Sequence, residues 1–305
     1  MLRYYVLTSR NFECLKRHFH SLPKKHTTVV VNTVDKEYEQ QASQWCFDNK
    51  INCVITESNG KPGKGKNSIL DHFLDSKYEY MVQIDGDDFL QPHGVNLYWW
   101  LSENNPPDGV QIVFNSSWSG DHENPDDLYA PFPWDKKFPD WIKEFPEQKS
   151  HFEYMYEHRD EYKKLYDIHY EQNCTWNYPR DALHPMDCPR LIFWSRHLAN
   201  SVRFREDLLI GEDTLLNYEV RDMAWKKQIQ LRKVKDNIQQ TYWYDLTNSG
   251  IVKQSQRDAN WEWLKPLNEA IETASKRWDV PPHFLLEPIV PDIEVAPSLD
   301  LKELK

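Results

Sequence analysis

The stretch Met81-Val82-Gln83-Ile84-Asp85-Gly86-Asp87-Asp88-Phe89 sets a short apolar strand directly against three carboxylates within four residues. Acids this close together repel one another unless a cation or a donor-rich ligand sits among them. The glycine between them permits a close approach of backbone and ligand. A solvated acidic turn would use the same residues, because Asp and Gly both favour turns. The choice depends on what the rest of the chain builds around the cluster.

Upstream, the pattern alternates between strand and helix. Tyr4 to Leu7, Thr28 to Val31, Cys53 to Ile55 and Tyr80 to Asp85 read as strands. Asn11 to Ser21, Lys36 to Asn49 and Asn67 to Leu74 read as helices between them. This spacing predicts an α/β fold with a mostly parallel, mixed sheet carrying helices on both faces. Ligands of such sheets bind beyond the carboxyl ends of the strands, where Asp85 falls. A glycine- and lysine-rich stretch, Gly60 to Lys66, reads as a loop before the third helix.

Downstream, Gly109 to Phe114 is a further strand. Residues 115–188 are rich in Pro, Trp, Tyr, Asp and His and read as an aromatic-rich insertion or lid, with a tyrosine-rich helix expected over Ser150 to Tyr170. Strand pattern returns at Leu191 to Trp194 and at Thr241 to Tyr244. Helices are expected at Glu212 to Val220 and Ala259 to Trp278, before a proline-rich acidic tail from Pro281. The expected organisation is therefore residues 1–114 and 189–258 as two halves of one domain, 115–188 as the insertion, and 259–305 as a C-terminal helix and tail.

Composition narrows the class. The chain has 305 residues and a formal net charge of −11, which argues against broad nonspecific binding to nucleic acid. The five cysteines are scattered and form no CxxC, as expected in a reducing compartment. With no membrane span and no signal peptide in the pattern, a cytoplasmic location is expected, in a cell or in the host of a virus.

Two readings compete for the chemistry. Gly60-Lys61-Pro62-Gly63-Lys64-Gly65-Lys66-Asn67 nearly matches the phosphate-cradling GxxxxGK[ST] pattern, which would make the chain a P-loop NTPase. Against this, Asn67 stands where a magnesium-binding hydroxyl belongs, and two strand–helix units precede the loop. The second reading takes in more of the chain. Thr8-Ser9-Arg10-Asn11, Gly65-Lys66-Asn67, Ile84-Asp85-Gly86-Asp87-Asp88, Gly211-Glu212-Asp213, Tyr242 and Asn248-Ser249 occur in the order and spacing of the family-2-type glycosyltransferases of GT-A fold. The resemblance covers roughly residues 3–114 and 189–252.

That resemblance implies metal-dependent, inverting transfer of a sugar from a nucleotide diphosphate donor, by default a UDP-sugar, to an acceptor hydroxyl. Asp87 and Asp85 would hold manganese or magnesium, with Asp85 also near the ribose. Asp213 would be the base, supported by Glu212. Thr8, Asn32, Asp35, Lys66, Asn67, Asn248 and Ser249 would complete the donor site. Members often carry two acids after the second strand; Asn32-Thr33 stands there instead, with Asp35 two residues on, and leaves the nucleotide base open. The acceptor would be a glycan, a lipid-linked sugar or a hydroxymethylated base in DNA. The basic residues Arg190, Arg196, Arg203 and Arg205 read as solvated surface or, if they share a face, as a seat for an anionic acceptor. A nucleotide-sugar-binding protein without turnover would carry the same motifs.

Overall fold

The computed structural model describes residues 1–12, 15–16, 22–86, 88–90, 92–113, 190–235, 242–243 and 264–278. In chain order the elements are β1 (Leu2–Thr8), β2 (Thr27–Val31), α1 (Lys36–Asp48), β3 (Asn52–Ile55), α2 (Pro62–Asp75), β4 (Tyr80–Asp85), β5 (Phe89–Leu90), α3 (Pro92–Glu103), β6 (Gly109–Val113), β7 (Arg190–Ser195), α4 (Arg196–Ser201), α5 (Glu212–Trp225), β8 (Leu231–Lys235), β9 (Tyr242–Trp243) and α6 (Leu264–Ser275). Seven strands form one sheet in the order β3-β2-β1-β4-β7-β6-β8, and β5 pairs with β9 in a small second sheet.

β1 runs parallel to β2 and β4, β2 to β3, and β6 to β8, whereas β7 is antiparallel to both β4 and β6. One reversed strand inside an otherwise parallel sheet is the mixed arrangement of a GT-A-like fold. The expected α/β class is therefore what the chain adopts.

The central strands are apolar on both faces because both are covered. On one face Tyr4, Val6, Val29, Val82 and Ile84 pack with Tyr38 and Ala42 of α1 and with Val95 and Tyr98 of α3. On the other, Tyr5, Leu7, Val30 and Met81 pack with Ile69 and Phe73 of α2, Leu198 of α4 and Leu216 of α5. Alternate residues of β1 thus feed opposite cores, as the two-residue period of a strand requires.

Three sequence expectations change. Gly60 to Lys66 is not a loop: α2 begins at Pro62, a favoured first helical position, and takes Gly63, Gly65 and Lys66 into its first turns. The glycines serve close packing. A Cβ on Gly63 would lie 2.2 Å from the Arg205 carbonyl oxygen, and one on Gly65 would lie 2.6 Å from Leu7 Cδ1. α3 was not expected, since its start holds proline and glycine. β8 was not expected from the sequence and, among the described residues, forms the edge of the sheet beside β6. The expected helix at 150–170, the insertion, and the tail from Pro281 lie outside the described residues. Among the described residues no helix is long and apolar enough to cross a membrane.

Gly63→Ala tests the packing role. Alanine gains about 1 kcal/mol of helix propensity, but the backbone clash outweighs it, for a net loss of about 1–2 kcal/mol in urea unfolding. An unchanged midpoint would contradict the close approach.

Candidate active site

β4 delivers Asp85 to the carboxyl edge of the sheet, opposite Leu7 of β1. The chain turns at once: Gly86 N donates to Leu7 O at 2.6 Å and Asp88 N to Asp85 O at 3.0 Å. A side chain at position 86 would press against Leu7 O and Thr8 Cβ, both 2.9 Å from an added Cβ, so the turn needs glycine. Asp87 lies outside the described residues.

The repulsion anticipated in the acidic turn is answered from within the chain. Arg190, first residue of β7, places NH2 2.5 Å from Asp85 Oδ2 and NH1 2.7 Å from Asp88 Oδ2. Tyr242 of β9 donates its hydroxyl to the same Asp88 oxygen at 2.5 Å, and the guanidinium carbon sits 5.2 Å from the Tyr242 ring centre. Burial alone would raise the Asp85 carboxyl, but Arg190 and then Lys66 reverse this and hold it below the ordinary carboxylate range. Asp85 Oδ1 is left buried and without a hydrogen bond.

The second acidic element opens α5. Gly211 precedes it in the left-handed region (φ 84°), a conformation glycine adopts freely, and an added Cβ there would also strike Leu267. Glu212 is buried, and its Oε1 accepts from Lys66 Nζ at 2.6 Å. Asp213 is 41% exposed and its Oδ2 lies 3.8 Å from the same ammonium. Two further bonds fix the turn: Asn217 Nδ2 donates to Asp213 O and Gln111 Nε2 to Asn217 Oδ1, each at 2.8 Å.

Lys66 is the hinge of this arrangement. Burial disfavours its charge, yet the carboxylates of Glu212, Asp213 and Asp85 together outweigh burial and hold its ammonium above the ordinary lysine range. Glu212 has the opposite balance: burial raises its carboxyl and Lys66 offsets this only in part. We read the pair as ionised, because a 2.6 Å contact between a lysine and a carboxylate in the protein interior is a charge-assisted bond.

The remaining residues named from the sequence make contacts within the protein. Asn67 donates to Phe204 O and Glu206 Oε1 and accepts from Phe204 N, latching α2 to the segment before α5. Asn32 donates to Lys61 O and accepts from Thr56 Oγ1. Asp35 caps α1, accepting from Glu37 N and Tyr38 N. Thr8 is buried and bonded to the Tyr38 hydroxyl. Asn248 and Ser249 lie outside the described residues.

Arg190, read from the sequence as solvated surface or an acceptor seat, instead pairs with Asp85 and Asp88; its place directly before the apolar run Leu191 to Trp194 was the available signal. Arg196 is spent on carbonyls of Phe73, Leu74, Ser76 and Tyr78, Arg203 on Ala199 O, Val202 O and Asp71, and Arg205 on Asp207. The four arginines therefore do not act as one free basic face.

A phosphate cradle is not what residues 60–66 build, since they enter a helix and Lys66 faces Glu212. For a divalent cation, Asp85 Oδ1 is the one oxygen of that carboxylate without a hydrogen bond, and magnesium commonly takes only one or two carboxylates from a protein and completes its shell from water and phosphates. Among the described residues no group of three or more His, Cys, Asp or Glu side chains gathers as a metal site.

No protein-family model matches the chain, and no curated protein matches it. Solved structures of the Staphylococcus aureus protein TarS are similar in part. TarS 1–349 has a TM-score of 0.40 and 16% identity over 72% of this chain and 55% of that one. The same fragment in complex with UDP gives 0.39 and 17% over 71% and 54%, and in complex with UDP-GlcNAc 0.31 and 21% over 38% and 35%. The matched part spans from about a third to about half of those chains. Likenesses of this extent speak neither to activity nor to ligand, and the functional reading rests on the site itself.

Lys66→Met should destabilise the protein by about 3–5 kcal/mol at neutral pH, because it strands Glu212 as a buried unpaired charge. Lys66→Met combined with Glu212→Leu should recover most of the loss. Stability tied to a raised lysine value is complete below the unfolded value, about 10.4, and is lost as pH climbs through the folded one, so the deficit of Lys66→Met should shrink above that pH. Urea titrations at pH 7 and pH 11 check both points; an equal deficit at the two would contradict the ion pair.

Proposed function

We propose that the chain is a glycosyltransferase acting on a nucleotide diphosphate sugar, with UDP the nucleotide that the motif resemblance favours. The observation that carries this reading is the convergence of two acidic elements on one buried lysine at the carboxyl edge of the sheet. Lys66 contacts Glu212, lies 3.8 Å from Asp213, and feels the charge of Asp85. One element is suited to a donor and the other to an acceptor.

Asp213 is the partly exposed member and can take a proton from a hydroxyl; Glu212 and Lys66 lie beneath it. In the proposed step the acceptor oxygen forms a bond to the anomeric carbon from the face opposite the diphosphate. The bond from that carbon to the phosphate oxygen breaks and the electron pair leaves with the diphosphate. The acceptor proton passes to Asp213, and configuration is inverted. Asp85, with Asp87, would hold manganese or magnesium, which when bound supplies positive charge to the leaving diphosphate. The acceptor is proposed only as a hydroxyl compound. Arginines already engaged by protein partners give no support to nucleic acid in that role.

A thermal-shift panel of nucleotide sugars, with and without manganese, tests the class, because a ligand bound to the folded state raises the melting temperature. UDP-sugars should shift it; no shift with any nucleotide sugar would sink the proposal, and a shift without turnover would leave a binding protein. Asp213→Asn should keep the UDP shift and lose about 10²–10⁴-fold in transfer rate. Full transfer activity in this variant would remove Asp213 as base.

A further inference from the structure

The acidic turn carries its own counter-ion. The Arg190 side chain is only 8% exposed and bridges an oxygen of Asp85 to an oxygen of Asp88. It lies on the Tyr242 ring, and Tyr242 in turn bonds to Asp88. This is a closed arrangement from three parts of the fold: the turn after β4, the reversed strand β7, and β9. Packed in this way, the guanidinium is buried between the two carboxylates and the ring.

A hard divalent cation takes about six oxygens at short range. Here two carboxylates each spend an oxygen on a fixed positive charge, and a second cation beside it would be repelled. What Asp85 still offers is Oδ1. A diphosphate would change the balance by bringing both oxygens and negative charge.

We infer that Arg190 is a positioning residue that keeps the acidic turn from binding a divalent cation on its own, so that the cation enters with the diphosphate of the donor. This deepens the glycosyltransferase reading and rests on it for the identity of the second ligand. Arginine suits the task because its planar fork holds two carboxylates at a fixed angle, which a lysine ammonium does not.

The test is a manganese titration followed by electron paramagnetic resonance, with the full chain as wild type, Arg190→Met and Arg190→Lys, each alone and with UDP. Wild type should bind manganese weakly alone and at least about tenfold more tightly with UDP. Arg190→Met should bind manganese alone at least about tenfold more tightly than wild type and gain less from UDP. Arg190→Lys should fall between them. Equal affinity of wild type and Arg190→Met for manganese alone would overturn the inference. Should Arg190→Met fail to fold by circular dichroism, Arg190→Lys carries the comparison. In that case, wild type binding manganese equally well with and without UDP overturns the inference. If UDP binds none of the proteins while Arg190→Met still gains manganese, the donor assignment fails and the role of Arg190 in excluding the free cation stands.

Discussion

Charge buried at the carboxyl edge of a parallel sheet has to be matched within the protein, and the site is organised around two such matches. Lys66 answers Glu212, and Arg190 answers Asp85 and Asp88. Each cation comes from a different element than the acids it serves, so the pairings also fix how the elements sit. Lys66 ties α2 to the first turn of α5, and Arg190 ties β7 to the turn after β4. Removing either cation would leave acids in a medium that solvates them poorly, a cost larger than the net worth of the pair itself.

The two matches leave the acids in unequal states. Asp88 and Glu212 are enclosed by partners, whereas Asp213 stays partly open and Asp85 keeps one oxygen unbonded. Enclosed acids hold geometry; the open ones have capacity left for a ligand. The helix start at Glu212 adds to this, since the positive end of α5 favours negative charge at its first turn. The same division explains why the glycines cluster where they do. Gly63 and Gly86 let backbones meet closely, and Gly65 lets α2 close on the side chains of Leu7 and Asn32, which brings the charged side chains of neighbouring elements within reach of each other.

The sheet was legible in the sequence because its central strands are continuous apolar runs separated by helices of clear period. β1, β2 and β4 fall where Tyr4 to Leu7, Thr28 to Val31 and Tyr80 to Asp85 predict them. Elements at the margins were harder to see. β8 holds three basic residues among its five, Arg232, Lys233 and Lys235, and resembles solvated surface until its partner β6 is known. Gly60 to Lys66 looks like a loop because glycine is a poor helix former; packing against Leu7 and the backbone at Arg205 overrides that preference. The acids Asp85, Glu212 and Asp213 were visible as candidates. Their partners were not, because an ion pair between residues over a hundred positions apart leaves no local pattern. Lys66 therefore reads as a donor-site residue and Arg190 as solvated surface or an acceptor seat, until the fold brings both beside the acids.

The pairing of β5 with β9, sealed by the bond from Tyr242 to Asp88, joins points 154 residues apart in the chain. Closing so long a loop costs entropy that local contacts do not repay, so such contacts tend to form late. During synthesis the first half of the sheet can assemble as soon as β4 has left the ribosome. The acidic turn cannot reach its final shape until Tyr242 has followed. A nascent or truncated chain that ends before β9 would hold the central strands without the lock that arranges the carboxylates of the acidic turn.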